Sequence, residues 1–294
     1  MRGVLRLMAG AVALIAAPAF AQTTDGGAAD LGTTTEPIRM WSAEVSGGYA
    51  SRDDGPKGAF AVTGLTRQIG RYYVRAALTT YRSTAHQLDM ALPSTYVVGT
   101  LGAGGNINNW VFDGWISYGR QIYGQIDTGQ GTRASTNGTG APYWAVGGDF
   151  GRILPLGRDW YLTPTVMVNY AYDRLLRPSP DLAYWADYQS REATVSGAAT
   201  LRLDKRIGPD KQHLIGVAAG WHVSNNGLSI LIPPEAGSGG AFDTRHYTDG
   251  WAQIGANASL RLNARARLEG SVTRSIGAAA GDATSVSAGL RIAF

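Results

Sequence analysis

Read backwards from the carboxyl end, Phe294, Ile292, Leu290, Ala288, Val286 and Thr284 are apolar or nearly so, while Ala293, Arg291, Gly289, Ser287 and Ser285 between them are small or polar. A strict period of two is the signature of a strand with one oily face. The same pattern recurs upstream. Ala252, Ile254, Ala256, Ala258, Leu260 and Leu262 alternate with Gln253, Gly255, Asn257, Ser259 and Arg261. Ala193, Val195, Gly197, Ala199, Leu201 and Leu203 alternate with Glu192, Thr194, Ser196, Thr200 and Arg202. Leu162, Val166, Val168, Tyr170 and Tyr172 form a third such face, and Trp41, Ala43, Val45 and Tyr49 a fourth.

The pattern predicts twelve strands, at 39–50, 57–68, 70–82, 95–104, 107–121, 142–153, 159–173, 188–205, 212–224, 246–262, 264–275 and 284–294. The phases of the second, fourth and sixth stay open. Short connections (Ile69-Gly70, Gly105-Asn106, 154–158, 207–210 and Asn263) alternate with a longer set (51–56, 83–94, 122–141, 174–187 and 225–245) that ends on a short one near 278–282. Strands of about 9–11 residues with short turns on one rim and long loops on the other describe an antiparallel transmembrane β-barrel. An even strand number puts both ends on the short-turn, periplasmic side. Aromatics sort by rim. Trp41, Tyr72, Trp110, Trp160 and Phe294 fall at the short-turn ends, and Tyr49, Tyr118, Tyr170, Tyr172 and Trp221 toward the other rim, as interfacial girdles require. Pro164 inside the seventh strand removes a ladder hydrogen bond and predicts a bulge.

Composition narrows the class. Charged residues make up 16% of the chain and there are 40 glycines, which suits a wall that excludes charge and curves tightly. With no cysteine, neither a disulfide framework nor a thiolate metal site is available. Residues 1–21 read as a secretory signal: Arg2 and Arg6, an apolar stretch from Leu7 to Ala17, then Ala19-Phe20-Ala21 for cleavage. Its removal lowers the net charge from +4 to about +2, so no nucleic-acid surface is expected. Residues 22–36 form a Gly-, Thr- and Asp-rich lead-in without periodicity, and 37–294 the barrel.

On these residues the chain resembles the twelve-stranded translocator barrel of autotransporters. The closing Gly289-Leu290-Arg291-Ile292-Ala293-Phe294, the strand around Phe112-Asp113-Gly114, and Leu162-x-Pro164 running on to Tyr170 carry the likeness over 37–294. The resemblance implies a Gram-negative outer membrane, outer-membrane lipid as solvent, and recognition of the closing strand and Phe294 by the barrel-assembly machinery. In that family a helix through the lumen leads to an exported passenger. Here about fifteen residues precede the first strand, without a helical pattern, so passenger secretion does not carry over.

Candidate chemistry lies on the inward phase. Arg71, Arg75, Arg202, Arg261, Arg265, Arg267 and Arg291 project there with the acids Glu44, Glu192 and Glu269. Two outcomes stay open: a basic collar that makes a passive, anion-preferring pore, or a salt-bridge network that fills a narrow lumen. His222-Val223-Ser224-Asn225 resembles the His-x-Ser-Asn signature of outer-membrane lipid hydrolases, with Asp249 or Asp243 as third member. Its facing argues against that chemistry, because Ile215, Val217, Ala219, Trp221 and Val223 make the oilier face and turn His222 and Ser224 inward. A structural barrel with ligand-binding loops is a third reading. His86, His213 and His246 are scattered and Asp53-Asp54-Gly55 reads as a solvated turn, so neither a metal nor any other cofactor is expected.

Overall fold

Alternation along each strand sorts the side chains into an inside and an outside. The computed structural model describes residues 40–294 apart from 54, 88–89, 180–181, 183–185, 209 and 233–242; the signal at 1–21 and the lead-in at 22–36 lie outside the described residues. Twelve long strands form the wall: β1 (Trp41–Arg52), β2 (Lys57–Ile69), β3 (Tyr72–Gln87), β4 (Met90–Ile107), β5 (Trp110–Tyr123), β6 (Gly140–Arg152), β7 (Trp160–Arg177), β8 (Tyr188–Ile207), β9 (His213–Ile232), β10 (Asp243–Arg261), β11 (Ala266–Ile276) and β12 (Ala283–Ala293). Each pairs antiparallel with the next, and β12 returns to β1 from Ser42↔Ala293 to Arg52↔Ala283. Closure leaves no open edge. Two three-residue strands, Ile126–Thr128 and Gly131–Arg133, make a small hairpin in the β5–β6 loop, and Leu154–Gly157 carries β6 onward beside β7.

The outward face is oily on every strand. Val45, Leu65, Leu78, Leu101, Ile116, Val146, Val168, Leu201, Val217, Ile254, Val272 and Val286 point away from the lumen, and Val168 is 64% exposed. At the middle of the wall the described outward positions carry no charge; Arg274, outward beside Ile254 toward the long-loop rim, is paired with Asp53 at 2.8 Å. A lysine or arginine at the midplane of a bilayer costs about 2–4 kcal/mol, which is why the strands exclude them there. On the short-turn rim, Arg67 lies over Trp41, Arg152 over Trp110 and Lys205 over Trp160, at 5.3, 5.0 and 4.9 Å. The wall is that of a transmembrane barrel.

Turn chemistry fixes where the strands reverse. The β4–β5 turn falls at Asn108-Asn109 (φ 51° and 67°), three residues past the expected Gly105-Asn106. Asparagine tolerates the left-handed region that a two-residue hairpin demands at both centres, so the strands run on to meet it. The bulge expected at Pro164 does not form. Pro164 pairs with Leu201 in unbroken register, and the irregularity lies instead beside Trp160 and Tyr161. Toward β6 the paired register ends at Thr165↔Gly151, next to Pro164, and beyond it Ile153 N–H donates to Asn109 O at 2.7 Å.

The long loops are shorter than the sequence predicts, because the strands climb above the girdle. β9 continues to Ile232 past a three-residue bulge, Asn225-Asn226-Gly227, that breaks the period. β4 starts at Met90 and β7 reaches Arg177. The open phases also resolve. β2 and β4 turn Phe60, Val62, Tyr96 and Val98 inward and β6 turns Tyr143 and Ala145 inward; these strands carry apolar residues on both faces, which is why alternation did not orient them.

Candidate functional site

The inward side chains divide the lumen into two halves. On the short-turn side water reaches a collar of charge. Arg291 lies 3.3 Å from Glu44 and 3.3 Å from Glu269, with these side chains 18%, 20% and 13% exposed. Arg202 Nε donates to Asp204 at 2.7 Å, and Arg75 pairs with Asp113, which faces Asp149 directly across strands. Arg267 donates to Ser259 Oγ at 3.4 Å and Arg261 to Asn263 O at 3.2 Å. The uncompensated basic collar of the first reading does not form, since Arg75, Arg202 and Arg291 each have an acid. Arg71 and Arg265 sit in exposed short turns instead of the lumen.

On the long-loop side the lumen is filled. Tyr81, Tyr96, Val98, Tyr143, Ala145 and Ala171 form one apolar cluster with Ala50, packed against Phe60 and Ala283. Tyr96 is 1% exposed, and its hydroxyl donates to Asp173 Oδ2 at 3.5 Å across the two strands that separate β4 from β7. Above it, Glu192 gathers a second cluster. Arg177 Nη2 lies 3.4 Å away, Asn226 Nδ2 donates at 2.9 Å, Ser229 Oγ at 3.1 Å, and His246 Nδ1 is within 3.3 Å. Ser190 also donates to it. A buried carboxylate needs several donors, and this one has them.

Arg177, Asp173, Asp113, Asp149 and Asn226 escaped the first reading. With Tyr170 and Tyr172 outward, parity marks Asp173 as inward, and Arg177 too once β7 is carried four residues further. Asn226 carried no such signal, because the bulge beside it destroys the parity.

The His222–Ser224 pair faces this lumen. Both side chains are buried, His222 stacks on Trp251 with ring centroids 5.6 Å apart, and Ser224 Oγ accepts the Asn226 N–H at 3.1 Å. Asp249 pairs with Ser224 in register but accepts the amides of Gly250 and Ala279, each at 2.8 Å. Asp243 accepts the Thr244 amide at 2.7 Å.

Outside the membrane, Asp187 is the hub of two long loops. It takes both Arg133 nitrogens at 2.8 and 2.7 Å, the Ser179 amide at 2.7 Å and the Thr136 amide at 2.8 Å. Burial alone pushes its carboxyl up, but these donors outweigh it and hold the group down at about 2.

No family model and no curated protein sequence matches the chain. Solved structures do. The translocator domain of the autotransporter NalP from Neisseria meningitidis matches 96% of this chain and 97% of its own, with 15% identity and a TM-score of 0.66. The transport unit of the autotransporter AIDA-I from Escherichia coli matches 94% and 97% at 11% identity and a TM-score of 0.56. An outer membrane channel from Pseudomonas putida F1 matches 90% and 99% at 11% identity and a TM-score of 0.55. At these identities the likeness is one of fold: the chain is a closed twelve-stranded barrel with the fold seen in autotransporter translocator domains.

Proposed function

We propose that the chain is an outer-membrane channel barrel of a Gram-negative bacterium, closed in this state on its long-loop side. The short turns, and with them Trp41 and Phe294, face the periplasm, and the long loops face outward. The closing strand β12 and Phe294 supply the element that barrel-assembly machinery would take up, and outer-membrane lipid solvates the oily belt. The fold shared with translocators and with a channel supports this reading.

One observation carries the channel assignment: charge is part-exposed in the short-turn half of the lumen, and the long-loop half is filled by Tyr81, Tyr96, Tyr143 and the Arg177–Glu192 cluster. A wall that served only as an anchor has no use for a hydrated half-lumen. The lipid-hydrolase reading has less support, because His222 and Ser224 are turned from the lipid that a hydrolase must meet.

Planar-bilayer recording tests the proposal. The native chain gives small or rare conductance steps, and Tyr96→Ala with Tyr143→Ala gives larger, frequent ones. A silent double variant that is folded removes the channel. A native chain that already conducts as well as the variant removes the closed state.

A further inference from the structure

The outer wall carries a row of cations that no acid among the described residues neutralises. Arg174 on β7 and Arg191 on β8 are direct cross-strand partners on the outward face. Opposed residues hold their Cβ atoms about 4.5–5.5 Å apart, and like charges so placed repel. Arg120 on β5 lies on the same row, paired with Pro142 of β6. Among the described residues none of the three has an acidic partner; Arg174 Nε only touches the Tyr172 hydroxyl, at 3.4 Å.

Their height matters as much as their charge. One dipeptide nearer the midplane, about 7 Å along the strands, Tyr118 pairs with Trp144 and Trp144 with Tyr172. The Trp144 ring lies 5.0 Å from Tyr170 and 6.3 Å from Tyr172, which makes a broad aromatic shelf. An aromatic girdle marks the boundary between acyl chains and head groups. The arginines therefore stand at head-group level, above a shelf that acyl chains and sugar rings can lie against. The opposite rim is built differently, since Arg67, Arg152 and Lys205 are each spent on a tryptophan face.

We infer that Arg120, Arg174 and Arg191 form a binding site on the lipid-facing wall for a phosphorylated glycolipid of the outer leaflet, of the lipid A class. A phosphate between Arg174 and Arg191 accepts hydrogen bonds from both guanidinium groups and removes their repulsion. The acyl chains run down past Tyr172 and Val168. This assignment rests on the proposed orientation, with the long loops outside.

Native mass spectrometry of the folded, detergent-purified barrel reads the site directly. Bisphosphorylated lipid A stays bound to the native chain, and Arg174→Gln with Arg191→Gln weakens retention about tenfold or more, the loss expected for two charge-assisted contacts. Dephosphorylated lipid A and phosphatidylglycerol are retained no better by the native chain than by that variant. Arg67→Gln with Arg152→Gln on the other rim keeps full retention. Equal retention by native and Arg174/Arg191 variant chains of matching circular dichroism overturns the site, as does equal retention of the dephosphorylated lipid. Orientation is read separately, by labelling a cysteine at Gly138 with a membrane-impermeant maleimide on intact cells. Binding without such labelling overturns the lipid A identity and the orientation together, whereas labelling without binding overturns the site alone.

Discussion

Arg291 on the last strand stands 3.3 Å from Glu44 on the first and 3.3 Å from Glu269 on the one before it, so one guanidinium ties the seam where the barrel closes. Removing it leaves two carboxylates facing each other in a half-wet lumen. Arg291→Ala therefore lowers stability by about 1–3 kcal/mol in urea unfolding from micelles. Adding Glu44→Gln returns part of that loss, because one of the two stranded charges is gone. An unchanged midpoint for Arg291→Ala would show that the seam does not depend on the ion pair.

Gly227 sits in the β9 bulge against Asp249. A Cβ there would lie 2.1 Å from the Asp249 Cβ, so Gly227→Ala must displace β10 or flatten the bulge. Overpacking of this kind costs about 1–3 kcal/mol. Gly64 is the control, since its Cβ would meet nothing nearer than 3.7 Å and Gly64→Ala is tolerated. Thermal unfolding followed by circular dichroism separates the two.

The loop clasp has a defined pH response. Asp187 is held at about 2, below its unfolded value of about 3.9, so its contribution is complete above pH 4 and disappears as pH falls toward 2. A fluorophore at Gly138 gains mobility across that window by anisotropy. Asp187→Asn shows the mobile state already at pH 7, because it loses the carboxylate that Arg133 and two amides share.

Much of this was legible in the sequence, and what was not has a physical cause. Where one face meets lipid and the other meets the polar lumen, as in β8, β10, β12 and β9 up to Ser224, alternation oriented the side chains, including Arg202, Arg291, His222 and Ser224. Where the lumen is filled with apolar side chains, both faces read alike, and Phe60, Tyr96 and Tyr143 gave no phase. Inward arginines and the acids Glu44, Glu192 and Glu269 were visible singly, but Asp113, Asp204 and the pairing itself were not. Asp113 reaches Arg75 from two strands away, and Glu192 draws its donors from β7, β9 and β10 as well as from its own strand. Pairing across a closed wall depends on register, which a linear pattern does not contain. The Asn108-Asn109 turn was the missed local signal.

Because Ser224 is buried on the inward face, no ester hydrolysis is expected of it. Lipid esters in mixed micelles turn over no faster with the native chain than with Ser224→Ala, as measured by fatty-acid release. A release rate that falls in the variant would restore His222 and Ser224 to catalysis and reverse the facing of β9.

The central claim is that hydrocarbon solvates the outward face while the inward face meets a polar lumen. Spin labels placed one at a time at 166, 167 and 168 on β7, and at 217, 218 and 219 on β9, measure this in reconstituted vesicles through relaxation by oxygen and by a water-soluble nickel complex. Positions 166, 168, 217 and 219 respond strongly to oxygen and weakly to nickel, while 167 and 218 reverse that order. Equal nickel access along each triplet, or nickel access at the valines, contradicts the account.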